Sequence, residues 1–320
     1  MQNKKILYNV IIWITLPLTF VATIWLRIIN RLGYNKIVNF IFMHIGLLPI
    51  PDQYYQPLIN PRKYLRKKLD DERNLPGIDF NVDEQLRLLS NFNYNNELIE
   101  FPLSQSETER VYLYNNDSYM SGDAEYLYSM VRFFRPRKII EIGSGYSTLM
   151  VRNAVVKNKL DDINYSCDHI CIEPYEQHWL EELDINIIRN KVEELDVSLF
   201  KSLQSGDFLF IDSSHVIRPQ GDVLFEYNEI LPLLNKGVIV HIHDIFTPRD
   251  YPEEWLCDRH LLWNEQYLLE SFLSFNGSYK IIGMLNYLAN NYSQDFKAKS
   301  PVYSSQSNRK PGAFWIQKIK

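Results

Sequence analysis

One short stretch of the chain, KIIEIGSGYSTLM from Lys138 to Met150, has the residues of a ligand-binding turn. An apolar run contains Glu141, and Gly143 and Gly145 follow where the backbone must turn sharply and approach a ligand. The carboxylate of Glu141 disfavours a phosphate here and suits a cationic ligand with an amino-acid end. Thr148 occupies the third glycine position of a dinucleotide fingerprint, so that match is partial.

A second acidic residue, Glu173, follows the next apolar run in ICIEPY. At the end of a strand its carboxylate can accept hydrogen bonds from both hydroxyls of a ribose. The gap between Gly145 and Glu173 is longer than the roughly 20 residues usual for nicotinamide dinucleotide sites. The pair therefore indicates a ligand that contains a nucleoside.

Two more predicted strand ends carry acids and histidines. FLFIDSSH places Asp212 and His215 after one strand, and GVIVHIHD places His243 and Asp244 after the next. Because neighbouring parallel strands end at the same edge of a sheet, we expect these side chains to converge. Two carboxylates and an imidazole can hold a divalent metal. The alternative is a set of hydrogen-bonded strand-end residues with no metal.

The candidate binding and catalytic residues need a parallel sheet to position them, and the sequence pattern from about Ser121 predicts such a sheet. Short apolar strands alternate with helices, which is typical of a sheet covered on both faces. The expected strands are Lys138–Ile142, His169–Glu173, Ile185–Arg189, Asp207–Ile211, Gly237–Ile242, Tyr279–Leu285 and Ala313–Ile319. We expect the last two to pair antiparallel, with no helix between them. The predicted fold is α/β: a Rossmann-like, doubly wound, mostly parallel seven-stranded sheet with an antiparallel C-terminal hairpin and an N-terminal hydrophobic helix.

The motif E-x-G-x-G-x-S, the acidic strand tip and the final strand pair resemble those of class I S-adenosylmethionine-dependent methyltransferases. The resemblance covers about residues 121–320 and implies S-adenosylmethionine as the cofactor. It implies that the glycine turn holds the methionine part, that Glu173 holds the ribose, and that Glu193 or Glu194 lies near the adenine. The turn residues concerned are Glu141, Gly143, Ser144, Gly145 and Ser147.

Within that family, D-x-x-H at strand four is similar to the pattern of metal-dependent macrolide sugar O-methyltransferases. The resemblance implies that Asp212 and Asp244 bind a metal and that His215 is the general base, with Asp212 also part of the catalytic site. His243 stands where those enzymes have a glutamate. Imidazole suits manganese, iron or zinc better than magnesium, so the sequence leaves the metal, and a metal-free site, open.

Three further residues are candidates for contact with a substrate. Arg218 follows His215 closely, and Tyr251 and Trp255 lie in a long segment after strand five, Ile245 to Leu256, where a loop can cover a substrate. The aromatic rings could stack on a sugar. The alternative is that these segments are solvated loops.

The N-terminal segment raises the question of a membrane. Ile6 to Leu26 has no charged residue and is long enough for a helix that crosses a bilayer. A cleaved signal peptide and a buried soluble helix are the alternatives, and we favour an uncleaved anchor. Basic residues are more numerous after this segment than before it, which predicts a cytoplasm-facing chain. A second apolar stretch, Ile37 to Ile50, is too short to span.

We expect three regions: a membrane-associated segment at 1–50, a connector with a helical extension at 51–120, and a methyltransferase domain at 121–320. A formal net charge of −5 argues against nucleic acid as a partner, and three cysteines disfavour a zinc site built from cysteines. The predicted activity is O-methylation of a sugar hydroxyl on a small-molecule or lipid-linked glycan, and the chain could form a homo-oligomer. The alternatives are a nicotinamide-dependent oxidoreductase and a non-catalytic membrane scaffold.

Overall fold

A computed structural model describes residues 2–31, 35–47, 49–50, 58, 60–104, 111–175, 177–306 and 308–320. The chain forms two compact units, Met1–Lys67 and Lys68–Lys320. Parts of the predicted connector, residues 51–57, 59 and 105–110, lie outside the described residues. Residues 68–104 and 111–120 belong to the same unit as the sheet.

The first unit is helical in its described part. Its helices are α1 (Gln2–Arg31), α2 (Lys36–Ile45) and α3 (Pro61–Tyr64). Helix α1 contains a 22-residue stretch, Tyr8–Ile29, that is long and apolar enough to cross a membrane, and none of it is buried. The hydroxyls of Thr15, Thr19 and Thr23 donate hydrogen bonds to backbone carbonyls one turn earlier, so these polar groups have partners within the helix.

The second unit is built on a seven-stranded sheet with the order β3-β2-β1-β4-β5-β7-β6. The strands are β1 (Lys138–Ile142), β2 (Asp168–Ile172), β3 (Asn186–Ile188), β4 (Phe208–Ile211), β5 (Ile239–Ile242), β6 (Tyr279–Met284) and β7 (Phe314–Lys318). The first five are parallel, and β7 pairs antiparallel with both β5 and β6. The predicted fold class is therefore confirmed.

Helices fill the connections. They are α4 (Val82–Ser90), α5 (Asn95–Leu98), α6 (Asp123–Phe134), α7 (Tyr146–Asp161), α8 (Ser198–Lys201), α9 (Asp222–Phe225), α10 (Leu231–Leu233), α11 (Glu265–Leu273), α12 (Leu285–Asn291), α13 (Ser293–Lys299) and α14 (Pro301–Ser305). Two 3₁₀ turns (His178–Glu182 and Val192–Glu194) and two π-helical turns (Glu226–Ile230 and Glu254–Asp258) complete the described elements. The expectation of no helix between the last two strands was wrong, because α12, α13 and α14 separate β6 from β7.

The sheet has a core on each face. Neighbouring strand residues point to opposite faces, so Ile139 packs in one hydrophobic cluster and Ile140 in the other. The outer edge of β6 is covered by α4, where the Asn81 side chain donates to the Ile281 carbonyl at 2.9 Å. Both faces and this edge are thus closed, and the carboxyl ends of the parallel strands are left for a ligand.

Candidate active site

The ends of four parallel strands lie side by side and place four polar or small residues together. The strand register pairs Ile142 with Ile172 and with Ile211, and Ile211 with Ile242. The next residue in each strand is Gly143, Glu173, Asp212 or His243. The register thus confirms the expectation that β4 and β5, the strands followed by Asp212 and His243, end side by side.

The turn after β1 requires glycine at Gly143. Its φ is +78°, and a β-carbon at this position would lie 2.0 Å from the carbonyl oxygen of Asp212. Its N–H donates to the carbonyl of Ile172 at 3.0 Å. Gly143 therefore joins the ends of three strands at a distance that no other residue allows.

Glu141 and Ser147 lie behind this turn, inside the protein. The Glu141 side chain is fully buried, and it accepts hydrogen bonds from Ser147 Oγ at 2.6 Å and Thr148 Oγ1 at 2.8 Å. The Thr148 hydroxyl also accepts from the Gly145 N–H at 3.0 Å. Glu141 and Ser147, predicted to contact the cofactor, instead tie the turn to the start of α7. Sequence reasoning missed the role of Thr148.

A cavity of about 300 Å³ opens beside the turn, between β2 and β4. Its lining includes Gly143, Glu173, Glu193, Asp212 and Arg218. Three predicted cofactor-binding residues thus share one cavity with the first residue of the predicted metal site. Ser144, Gly145, Glu141 and Ser147 do not line it. Arg218 was predicted at the substrate, and the structure places it here, with its guanidinium 3.9 Å from the Glu193 carboxylate.

Glu173 is oriented by the backbone. One carboxylate oxygen accepts from the Ser144 N–H at 3.1 Å, and the other accepts from the Tyr175 N–H at 3.0 Å. Each carboxylate oxygen can accept two hydrogen bonds, so capacity remains for hydroxyl donors in the cavity. This arrangement suits a ribose.

Asp212, His215, His243 and Asp244, here called the Asp–His cluster, lie in contact at the end of the cavity. His215 Nε2 lies 3.3 Å from Asp212 and 3.6 Å from Asp244, and His243 Nδ1 lies 3.4 Å and 3.6 Å from the same two residues. Ligand atoms of Asp212, His215 and Asp244 all lie within 4.8 Å of one another, as a divalent cation requires. The two carboxylates are therefore flanked by two imidazoles.

The far sides of the two imidazoles differ. His215 Nδ1 lies 2.8 Å from a carboxylate oxygen of Glu265, which is fully buried and also accepts from Tyr227 Oη at 3.1 Å. His243 Nε2 is 3.8 Å from Asp123, which accepts from the backbone of Gly312 and Ala313. Glu265 thus orients the His215 ring, with Nε2 directed at the two aspartates. Glu265 is 50 residues away in sequence, and no local pattern indicated it.

Burial and charge act in opposite directions on the cluster. Burial alone would lower the pKa of His215, but its contacts with Asp212 and Glu265 outweigh burial and raise that pKa well above its usual value. The pKa of Asp212 is lowered despite burial, because His243 and His215 stabilise its charge. Burial raises the pKa of Asp244. The backbone is strained at this point too, with φ of +60° at His215 and +56° at Asp244.

The predicted aromatic contacts are only partly available to a substrate. Tyr251 is fully buried, and its hydroxyl accepts from the Gln266 N–H at 3.1 Å, so the prediction that it stacks on a sugar was wrong. Trp255 is half-buried and packs edge-on against Trp263, with ring centroids 5.2 Å apart. The Trp263 ring lies 4.4 Å from the His215 ring. Trp263, which sequence reasoning missed, brings an aromatic surface to the Asp–His cluster.

Residues 140–245 match the family model of a methyltransferase domain. An uncharacterized protein of Archaeoglobus fulgidus is 26% identical over 171 residues, which are 50% of this chain and 76% of that protein. The plantazolicin methyltransferase BpumL, solved with SAH, is 14% identical and aligns over 75% of this chain and 96% of its own, with a TM-score of 0.38. An O-methyltransferase from Bacillus cereus, also with SAH, is 14% identical over 74% and 91%, with a TM-score of 0.31. The two structural scores are too low to carry an argument.

The matched range runs from β1 through the end of β5 and so contains the glycine turn, Glu173 and the Asp–His cluster. This range, about a third of the chain, is similar to a methyltransferase domain, and the seven-stranded sheet agrees with that similarity. The match and the sheet support an S-adenosylmethionine-dependent methyltransferase.

Proposed function

We propose that this methyltransferase acts on an oxygen, a sugar hydroxyl of a glycan or glycolipid precursor, at a membrane surface. One observation carries the proposal: Asp212 belongs both to the cavity that contains Glu173 and to the Asp–His cluster. A donor in that cavity would present its methyl group beside groups that activate a hydroxyl. A reactive hydroxyl needs such help, because an alcohol is a poor nucleophile near neutral pH.

The residues of the site divide the chemistry between them. Glu173 binds the ribose of the donor, and the carboxylates of the cluster favour the positive charge of its sulfonium. As the new O–CH₃ bond forms, the S–CH₃ bond breaks and the sulfur becomes a neutral thioether. The hydroxyl proton passes to His215 Nε2, which the contact between Nδ1 and Glu265 directs into the site. The neighbouring carboxylates raise the pKa of His215, so a positive charge bound beside them, that of the sulfonium or of a metal, is needed to free Nε2 as a base.

The cluster also fits a divalent metal. Asp212, Asp244 and His243 would hold it, and it would supply Lewis acidity that lowers the pKa of the acceptor hydroxyl. His243 Nδ1 lies 3.4 Å from Asp212 and 3.6 Å from Asp244, and these two carboxylates also form a compact group with His215, which supports this part of the proposal. A set with an imidazole favours manganese, iron or zinc over magnesium.

Two separate features support a sugar as the acceptor and the membrane as the location. Trp263 and Trp255 offer half-buried aromatic surface next to His215, of the kind on which sugar rings stack. Helix α1 has the length and composition of a membrane span, with its threonine hydroxyls already satisfied. A lipid-linked sugar would meet both conditions.

Calorimetry of the full-length protein in detergent tests the donor. We expect heat of binding with S-adenosylmethionine and none with NAD; heat from NAD alone would contradict the proposal. Labelled donor should then transfer methyl groups to a membrane glycan fraction. Binding without transfer to any glycan fraction would favour the scaffold alternative.

A matched pair of variants tests the two imidazoles. We expect His215→Gln to lower turnover by about 10²- to 10⁴-fold while bound metal stays, and His243→Gln to lose the metal. Elemental analysis and labelled-methyl transfer measure the two effects. If His215→Gln empties the site and His243→Gln does not, the roles are exchanged.

Membrane association has its own test. Val21 is exposed in α1, and an arginine at the centre of a span costs about 2.5–3.5 kcal/mol. We expect Val21→Arg to shift the full chain out of the carbonate-washed membrane fraction, whereas Lys236→Gln leaves it there. Equal membrane recovery of both variants would contradict the anchor.

A further inference from the structure

A second cavity, of about 330 Å³, lies on the other side of the Asp–His cluster, and we call it the β5–β7 cavity. Its lining includes Phe246, Arg249, Asn286, Arg309, Lys310 and Pro311. These residues come from the segment after β5, from α12 and from the segment before β7. The methyltransferase reaction as described above uses none of them.

The β5–β7 cavity adjoins the reactive centre through the backbone. Phe246 is two residues after Asp244, so their α-carbons are at most about 7 Å apart. The N–H of Ile245 donates to the carbonyl of Gly312 at 2.7 Å, which fixes the segment before β7 against the end of β5. A β-carbon on Gly312 would lie 3.3 Å from the α-carbon of Asp244. The lining of the β5–β7 cavity is therefore in backbone contact with the Asp–His cluster.

Among the described residues, no acid neutralises the positive charge of Arg309. Its guanidinium donates to Asn115 Oδ1 at 2.9 Å and to Gln306 Oε1 at 3.2 Å, both neutral amides. In the part of the chain that the structure describes, no carboxylate forms an ion pair with it. These amide contacts hold the side chain in place and leave its charge for a ligand.

The other charges of the β5–β7 cavity are balanced or weakly paired. Arg249 pairs with Glu72 at 3.2 Å, and Asp250 pairs with Arg73 at 3.3 Å. Lys310 lies 3.5 Å from Asp70, but both side chains are more than half exposed, so this pair contributes little. Arg309 and Lys310 therefore leave the cavity with a net attraction for anions.

We infer that the β5–β7 cavity binds an anionic group, a phosphate or a carboxylate, carried by the methyl acceptor. The guanidinium of Arg309 contacts Gln306, Met120 and Asn115 and keeps one further N–H on each terminal nitrogen for an anion. Lys310 adds a second positive charge to the cavity lining. The inference rests on the proposed function and adds to it a substrate class: acidic sugars and sugar phosphates in preference to neutral glycans. Phe246 contributes apolar surface to the cavity lining.

Calorimetric titration of the full-length protein in detergent with inorganic phosphate, and separately with glucuronate, tests the inference. We expect one of the two to bind, and the stronger identifies the anion. Arg309→Gln should weaken binding at least about tenfold, Arg309→Lys less, and Lys310→Gln about two- to threefold. Lys236→Gln changes an exposed lysine before the start of β5, whereas Arg309 and Lys310 of the cavity follow the end of β5, and it should change nothing.

Three results would overturn the inference: no heat from either anion, equal binding by the Arg309→Gln variant, or displacement of the anion by S-adenosylhomocysteine, which would place it in the cofactor cavity. The binding of S-adenosylmethionine by each variant is measured alongside. Failure of anion binding with donor binding intact rejects the inference alone, and loss of donor binding by the unmodified protein rejects the proposed function. An unchanged unfolding temperature in Arg309→Lys and Arg309→Gln confirms that the variants are folded.

Discussion

Two clusters in the second unit have possible metal-ligand atoms equally close together, but their surroundings differ. Asp212, His215 and Asp244 form one, and Glu141, His169 and Cys171 form the other; in each, three ligand atoms lie within 4.8 Å of one another. The first follows the ends of β4 and β5 and shares Asp212 with a cavity. The second lies within β1 and β2 and is completely buried.

In the buried cluster, the Glu141 carboxylate is already occupied by hydrogen bonds from the protein itself. Glu141 accepts from two hydroxyls, His169 Nε2 lies 3.1 Å from it, and Cys171 Sγ donates to it at 3.4 Å. Ligand types at metal spacing are therefore not sufficient for a site. The Asp–His cluster differs because it lies beyond the ends of two strands and has hydrogen-bonding capacity left for a ligand.

An amide in place of Asp244 is the change with the largest expected effect. Asp244→Asn keeps the shape and removes the charge, so we expect bound metal to fall and turnover to drop by about 10³-fold or more, since metal-assisted activation supplies several kcal/mol. Elemental analysis and labelled-methyl transfer measure both. Unchanged turnover, in this variant or after chelation, would remove the metal from the mechanism.

Gly143 comes two residues after Glu141 of the buried cluster and packs against the backbone of Asp212 in the Asp–His cluster. A methyl group at this position should therefore disturb both clusters. Gly143→Ala combines a φ of +78° with a β-carbon 2.0 Å from the Asp212 carbonyl oxygen, so the expected loss is about 3 kcal/mol or more in the free energy of unfolding. Gly145→Ala is the control, because its φ is −176° and a β-carbon would meet nothing within 4 Å. Equal denaturation midpoints for the two variants would contradict this account.

The matching amide change in the buried cluster should act on stability instead of turnover chemistry. Glu141→Gln leaves one hydroxyl or imidazole donor without its acceptor, which costs about 1–3 kcal/mol. Denaturant unfolding measures the loss, and we expect metal content to equal that of the unmodified protein. A drop in bound metal would mean that the buried cluster is a metal site after all.

The smallest expected effect concerns the chemical reactivity of Cys171 in the buried cluster. Burial raises the pKa of its thiol, and Glu141 raises it further, so the reactive thiolate is suppressed in the folded state. We expect iodoacetamide to leave Cys171 unmodified until the protein is unfolded, as read by peptide mass spectrometry. Rapid labelling of the native protein would show that this cluster is accessible and the contrast between the clusters is false.

The sequence predicted the sheet well because its strands are short, apolar and bounded by polar residues. β1 has the predicted bounds, and β4 and β5 end at the predicted residues, Ile211 and Ile242. Helices α12 to α14 were missed because Leu285–Ser305 is rich in asparagine, serine and tyrosine and has no clear apolar period. Tertiary packing against α4 and α5 stabilises this segment, and local sequence does not show it.

Side-chain direction was harder to predict than strand position. Glu141 lies in a strand with apolar residues on both sides, so alternation does not reveal which face it points to. Tyr251 stands in a loop segment, yet its hydroxyl finds a buried backbone partner and its ring joins the core. Glu265 and Trp263 reach His215 only through the fold, since the chain between them is about fifty residues long.

The contact between Gly143 and the Asp212 carbonyl has a consequence for how this enzyme can diversify. The glycine turn and Asp212 are packed against each other through their backbones, so neither can move to accommodate a new acceptor. Arg309, Lys310, Trp255 and Trp263 stand on other segments and are free to vary. Specificity for new acceptors should therefore arise by substitution of these four side chains, while the contact between Gly143 and Asp212 stays the same.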